Sequence, residues 1–183
     1  VICMPGVPTE MKWLFENGMK DHLKRMLAER NEGSCALYTK WIHSIGIGEA
    51  KVEEMLIDLV HGKENPSVAT YVDDGECNIR VTARSSDMDD AVKTVEQTER
   101  EIEKRLKDAI YGKDSQTLEG VVAQLLREKG LKVACAESCT GGLLGSAFTS
   151  LAGSTDYFDR GFIVYTNQAK VDQLGVDAHT IES

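Results

Sequence analysis

Apolar and polar positions alternate at helical and strand periods along this chain, and the periods change at recognisable boundaries. Met11, Leu14, Phe15, Met19, Leu23 and Met26 recur at helical spacing after Pro5-Gly6-Val7-Pro8, with Thr9 as the expected N-cap. Residues 36–43, 67–72 and 77–83 read as strands, and Asp73-Asp74-Gly75-Glu76 is a hairpin signal between the last two. Between the first two lies a helix with Val52, Met55, Leu56, Leu59 and Val60 on one face. A long helix capped by Ser86 follows, its apolar face (Val92, Val95, Ile102, Leu106, Ala109) interrupted by Glu99. The order β-α-β-β-α predicts a small α+β unit over 36–113 with helices on one face of a sheet.

From residue 117 the pattern becomes helix-strand-helix-strand. Leu118, Val121, Val122, Leu125 and Leu126 form an amphipathic stripe, stopped by Gly130. Residues 131–136 and 161–166 read as strands, Leu143–Leu151 as an apolar helix, and Asn167-Gln168-Ala169-Lys170 as the start of another helix. Such alternation predicts a parallel α/β sheet with right-handed crossovers. Residues 1–35 carry five basic and five acidic residues and no core of their own. The opening Val1-Ile2-Cys3 and the closing residues 177–183 both read as interrupted elements, so the chain is expected to be a piece of a longer protein.

Composition narrows the function. With 42% hydrophobic and 28% charged residues the chain is globular rather than disordered. Its net charge of −9 disfavours nucleic-acid backbones and anionic membranes, though not a small anion held by local dipoles. No apolar run is long enough to span a membrane, and no secretory signal is visible at the start. The five cysteines (Cys3, Cys35, Cys77, Cys135, Cys139) form no CxxC pair and no zinc spacing, which predicts reduced thiols and a cytoplasmic location.

Ligands of parallel α/β sheets bind at the carboxyl ends of the strands, and two such ends are polar here. The first is Glu137-Ser138-Cys139-Thr140-Gly141-Gly142, where a hydroxyl meets a helix N-terminus and two glycines allow close approach to the backbone. That pattern suits an anion, or a serine nucleophile beside an oxyanion site. It equally suits plain helix capping by Ser138 and Thr140, with glycines for packing. The second end is Tyr165-Thr166-Asn167-Gln168-Ala169-Lys170.

Residues 136–144, 152–158 and 161–170 together resemble the C-terminal domain of the competence/damage-inducible protein CinA family. Pro5-Gly6-Val7-Pro8-Thr9-Glu10-Met11 resembles the end of that family's molybdopterin-binding-like domain, and residues 36–113 its KH-like domain. The resemblance implies three parts: 1–35 as the remnant of the first domain plus linker, 36–113 as the KH-like α+β domain, and 114–183 as the first half of a truncated α/β amidohydrolase domain.

The activity it implies is nicotinamide-nucleotide amidohydrolase, which converts nicotinamide mononucleotide (NMN) and water to nicotinate mononucleotide and ammonia. Ser138 would be the nucleophile, Lys170 the general base and Tyr165 a supporting hydroxyl, with Glu137, Thr140, Gly141, Gly142 and Asn167 around the substrate. A lysine base must be neutral, which calls for burial or positive surroundings. No cofactor is implied for deamidation, and a divalent metal would belong to the missing N-terminal domain.

Family members commonly show Ser and Glu where this chain has Thr166 and Gln168. Because the family's domain continues past residue 183, the fragment itself is expected to be inactive. The alternatives are the ADP-ribose pyrophosphatase activity of the missing N-terminal domain and a non-catalytic scaffold. The expected partners are a small-molecule nucleotide and, in the full-length protein, further copies of itself. A nucleic-acid partner is not expected, since residues 36–113 hold 11 basic against 16 acidic residues and carry Gly46-Ile47-Gly48 in place of a GxxG loop.

Overall fold

The computed structural model describes residues 2–29, 35–62, 64–73 and 75–182. Near the start lie α1 (Pro8–Leu14) and α2 (Lys20–Glu29), joined by a π-helical turn over Phe15–Met19. The cap of α1 differs from expectation. Val7 is the N-cap residue and makes no side-chain hydrogen bond, because Pro8 already occupies the first helical turn with its φ preset. Thr9 therefore lies inside the helix. Neither α1 nor the π turn buries a residue, and Trp13 is 65% exposed, in keeping with a segment that has no core of its own.

A four-stranded sheet has the order β2-β3-β1-β4, formed by β1 (Ala36–Ile45), β2 (Ser67–Asp73), β3 (Glu76–Ser85) and β4 (Ile110–Lys113). The helices between them are α3 (Glu49–Val60) and α4 (Met88–Leu106). β2 and β3 are neighbours separated by two residues, of which Asp74 lies outside the described residues. β3 alternates buried Cys77, Ile79, Val81 and Ala83 with half-buried positions, the signature of a sheet covered on one face.

β4 was not expected from the hydrophobic pattern, which ran the helix to Ala109. Four residues are too few to display a period, and β4 is defined by antiparallel pairing with β1, Ile42 opposite Lys113 and His43 opposite Gly112. The start of α4 also differs. Asp87, not Ser86, accepts the N–H groups of Asp89 and Ala91.

The described residues fall into two compact units, one drawn from Val1–Lys40, Glu49–Tyr71 and Ile79–Arg105, the other from Trp41–Gly48, Val72–Asn78 and Leu106–Ser183. In the first unit Arg105 of α4 donates to Met55 O at 3.0 Å and forms a bidentate pair with Asp58, fixing α4 against α3. The guanidinium beside it holds the Asp58 carboxyl below its usual range.

In the second unit, α5 (Leu118–Glu128), α6 (Leu143–Thr149), α7 (Asn167–Leu174) and α8 (Ala178–Glu182) alternate with the parallel strands β5 (Val133–Glu137) and β6 (Phe158–Ile163). Thr117 Oγ1 caps α5 by accepting Gly120 N–H. Tyr157, 1% exposed, is the anchor of this unit: its hydroxyl donates to Phe148 O at 2.7 Å and Arg127 lies 4.9 Å over its ring.

Candidate active site at the carboxyl edge of the parallel strands

β5 and β6 run parallel, in register from Ala134 opposite Arg160 to Glu137 opposite Ile163. One further bond closes the ladder, Val164 N–H to Glu137 O at 2.7 Å. The expected strand over 161–166 therefore starts earlier and ends earlier, because the ladder extends back through Arg160 opposite Ala134 and Phe158 opposite Val133, skipping Asp159 at a register shift. Parallel neighbours end on the same edge of the sheet. Ser138 follows β5 and the Tyr165–Lys170 stretch follows β6, so both polar turns open on that edge.

The first turn is shaped by two left-handed glycines. Gly141 has φ +57° and Gly142, the N-cap of α6, has φ +104°, conformations that favour glycine. A Cβ at Gly142 would sit 3.1 Å from Ile163 Cδ1, so sterics reinforce the requirement. The side chain that organises this turn is Glu137. It is 5% exposed, and its carboxylate accepts N–H groups from Gly142 (3.2 Å), Leu144 (2.9 Å) and Gly145 (2.8 Å). Cys135 Sγ adds a contact at 3.6 Å. Burial alone would raise this carboxyl's pKa. The donations from Gly145 and Leu144, with smaller help from the Thr140 hydroxyl and Cys135 thiol, outweigh burial and hold it below the ordinary value. Burial, and then Glu137 beside it, push the Cys135 thiol up.

Most N–H groups expected to face an oxyanion are thus occupied. Gly141 N–H donates to Ser138 O at 3.1 Å, Gly142 N–H to Glu137, and Leu143 N–H to Thr140 O at 3.1 Å. Ser138 is half-buried, and among the described residues its hydroxyl makes no hydrogen bond. Thr140 and Cys139 are exposed.

In the second turn Thr166 caps α7, its hydroxyl accepting Ala169 N–H at 3.1 Å. Lys170 is half-buried and its Nζ donates to Asn167 Oδ1 at 3.4 Å. Tyr165 is 72% exposed. Gln168 reaches along the helix to Asp172 Oδ1 at 2.8 Å. The edge gathers Ser138, Tyr165, Asn167 and Lys170, and among the described residues no hydrogen bond joins Ser138 to Lys170. No three His, Cys, Asp or Glu side chains among the described residues converge to hold a metal ion, and none of the five cysteines is in a disulfide.

Comparison with known proteins is decisive about kinship. The CinA C-terminal domain family matches residues 115–183, and the damage-inducible protein CinA KH domain family matches residues 39–112. The chain belongs to the CinA family. A competence-damage inducible protein of Caldicellulosiruptor saccharolyticus is 41% identical over 182 residues, covering 100% of this chain and 43% of that protein. A CinA-like protein of Kosmotoga olearia is 36% identical over 181 residues, covering 99% of this chain and 42% of that protein. Among solved structures, the competence/damage inducible protein CihA from Agrobacterium tumefaciens is 47% identical, with 36% of this chain and 40% of that chain covered and a TM-score of 0.35. The CinA chain described here thus spans less than half the length of the curated relatives it matches. No helix among its described residues is long and apolar enough to cross a membrane.

Proposed function

We propose that residues 114–183 are the first half of a nicotinamide-nucleotide amidohydrolase site, and that the full-length CinA-type protein hydrolyses the carboxamide of NMN. The reading is supported by the parallel register that opens the Ser138 and Lys170 turns on one sheet edge. Ser138 Oγ attacks the carboxamide carbon while Lys170 takes its proton. The tetrahedral intermediate then expels ammonia, with Lys170 returning the proton to the leaving nitrogen. Water, deprotonated by the same amine, resolves the acyl-enzyme to nicotinate mononucleotide and frees Ser138. Tyr165 supplies a hydroxyl at the mouth, and Asn167 orients the Lys170 amine whose N–H it accepts. Thr140, Gly141 and Gly142 form the wall against which the substrate lies. The protein is soluble and cytoplasmic in this reading, and self-associates at full length.

The test uses the full-length protein. Ser138→Ala and Lys170→Ala should each remove most NMN deamidation, and the double variant should be little worse than either single one, as for groups that act as a unit. Both single variants should melt within a few degrees of the parent. Capping as the sole role of Ser138 predicts the reverse, a loss of about 0.5–2 kcal/mol of stability with activity intact. Full turnover by Lys170→Ala would end the serine–lysine mechanism.

A further inference from the structure

The carboxylate of Glu137 is adjacent in sequence to Ser138 and was expected against the substrate. Its surroundings do not suit that task. It is 5% exposed, and each of its oxygens already accepts at least one N–H from the turn that follows Ser138. The contacts reach five, seven and eight residues ahead, so one side chain at the end of β5 ties down the whole glycine turn and the first turn of α6. The fit is close. A Cβ at Gly145 would lie 3.3 Å from Glu137 Oε1, and one at Gly161 would lie 3.2 Å from Cys135 Sγ, the thiol that contacts the same oxygen.

We propose that Glu137 is a positioning residue for Ser138: it touches no substrate, and it fixes the backbone on both sides of the hydroxyl. The chain leaves Glu137 into Ser138 and returns to Glu137 at Gly142, so the serine sits in a loop closed by the carboxylate. A second closure within it, Gly141 N–H to Ser138 O, shares that dependence. The inference rests on Ser138 being the nucleophile, and the reading gains from it a reason for the motif's acidic residue. It also accounts for Gly145, where any side chain would push against the carboxylate.

The experiment compares Glu137→Gln, Gly145→Ala and Ser138→Ala in the full-length protein. Gln keeps the shape but replaces one acceptor oxygen with a donor facing N–H groups. Gly145→Ala is the safeguard against simple unfolding, since alanine is the better helix former by roughly 1 kcal/mol. Three readouts are taken: kcat and KM for NMN, melting temperature, and the rate at which a fluorophosphonate labels Ser138. Glu137→Gln should lower kcat by about 100-fold, the scale of an ångström-sized misplacement, and Gly145→Ala, which moves the carboxylate less, should lower it by about 10-fold. KM should stay within about twofold, because no substrate contact is lost. Labelling of Ser138 should slow in parallel in folded protein. A raised KM with kcat intact would make Glu137 a substrate ligand and overturn the inference. Labelling at the parent rate in both variants would overturn it as well. Absence of Ser138 labelling in the parent sinks the serine reading itself, which separates the two failures.

Discussion

The Tyr111 hydroxyl donates to Glu76 Oε2 at 2.7 Å, and the ring stacks on His43 at a centroid distance of 5.8 Å. Burial, followed by the bond to Glu76 and the charges of Glu76 and Glu119, push its pKa well above the usual tyrosine range. The fold therefore favours the protonated phenol. That stabilisation is complete below pH of about 10, where an unfolded tyrosine begins to ionise, and is lost as pH rises through the higher folded value. In an absorbance titration the Tyr111 phenol should ionise only at the alkaline end. Tyr111→Phe should abolish that late step and cost about 1 kcal/mol. A late step that survives in Tyr111→Phe would refute the assignment. Glu137 teaches the complementary lesson about reading single residues. Its neighbourhood in the sequence is Ser138, and the family resemblance implied substrate contact. Its neighbourhood in space is the backbone of Gly142, Leu144 and Gly145, which no local pattern announces because backbone N–H groups carry no residue identity.

Among the elements, α4 shows where periodicity is legible and where it is silent. Its apolar face was readable, and so was the interruption by Glu99. What the interruption does was not. Glu99 Oε2 meets Lys40 Nζ of β1 at 2.8 Å, with side chains 7% and 19% exposed, an ion pair between residues 59 apart. Removing one member leaves a buried charge. Lys40→Met should cost on the order of 3 kcal/mol, whereas Lys40→Met with Glu99→Leu should recover most of it. Urea unfolding of the singles and the double measures the coupling, and additive losses would rule out a cooperative pair. The strands with clear alternation, β1 to β3, and the helices with stripes, α3 to α5, lie within a few residues of the sequence reading. β4 escaped it because a four-residue strand has no pattern beyond its partner. Gln168 has a local use in the structure: it donates to Asp172, where a second carboxylate would repel.

At the scale of the whole molecule, the alternation from α+β to α/β was legible because the hydrophobic period changes near residue 117, and the order of polar turns gave the candidate edge. The pairing of β5 with β6 decides that the two turns share it. That two-strand sheet has a consequence for the chain in solution. Among the described residues, β5 and β6 each have a single neighbour, so each presents a flank of backbone donors and acceptors to its surroundings. β6 carries Asp159 and Arg160, charges of the sort that discourage stray pairing, but β5 exposes only Ala134 and Ala136. The 183-residue chain should therefore self-associate with rising concentration through β5, as a template that accepts any extended strand. Ala134→Lys should suppress this in sedimentation velocity without lowering the melting temperature. Association unchanged by that lysine would locate the sticky surface elsewhere. The backbone that gives Ser138 its edge would thus also make the isolated chain prone to aggregate.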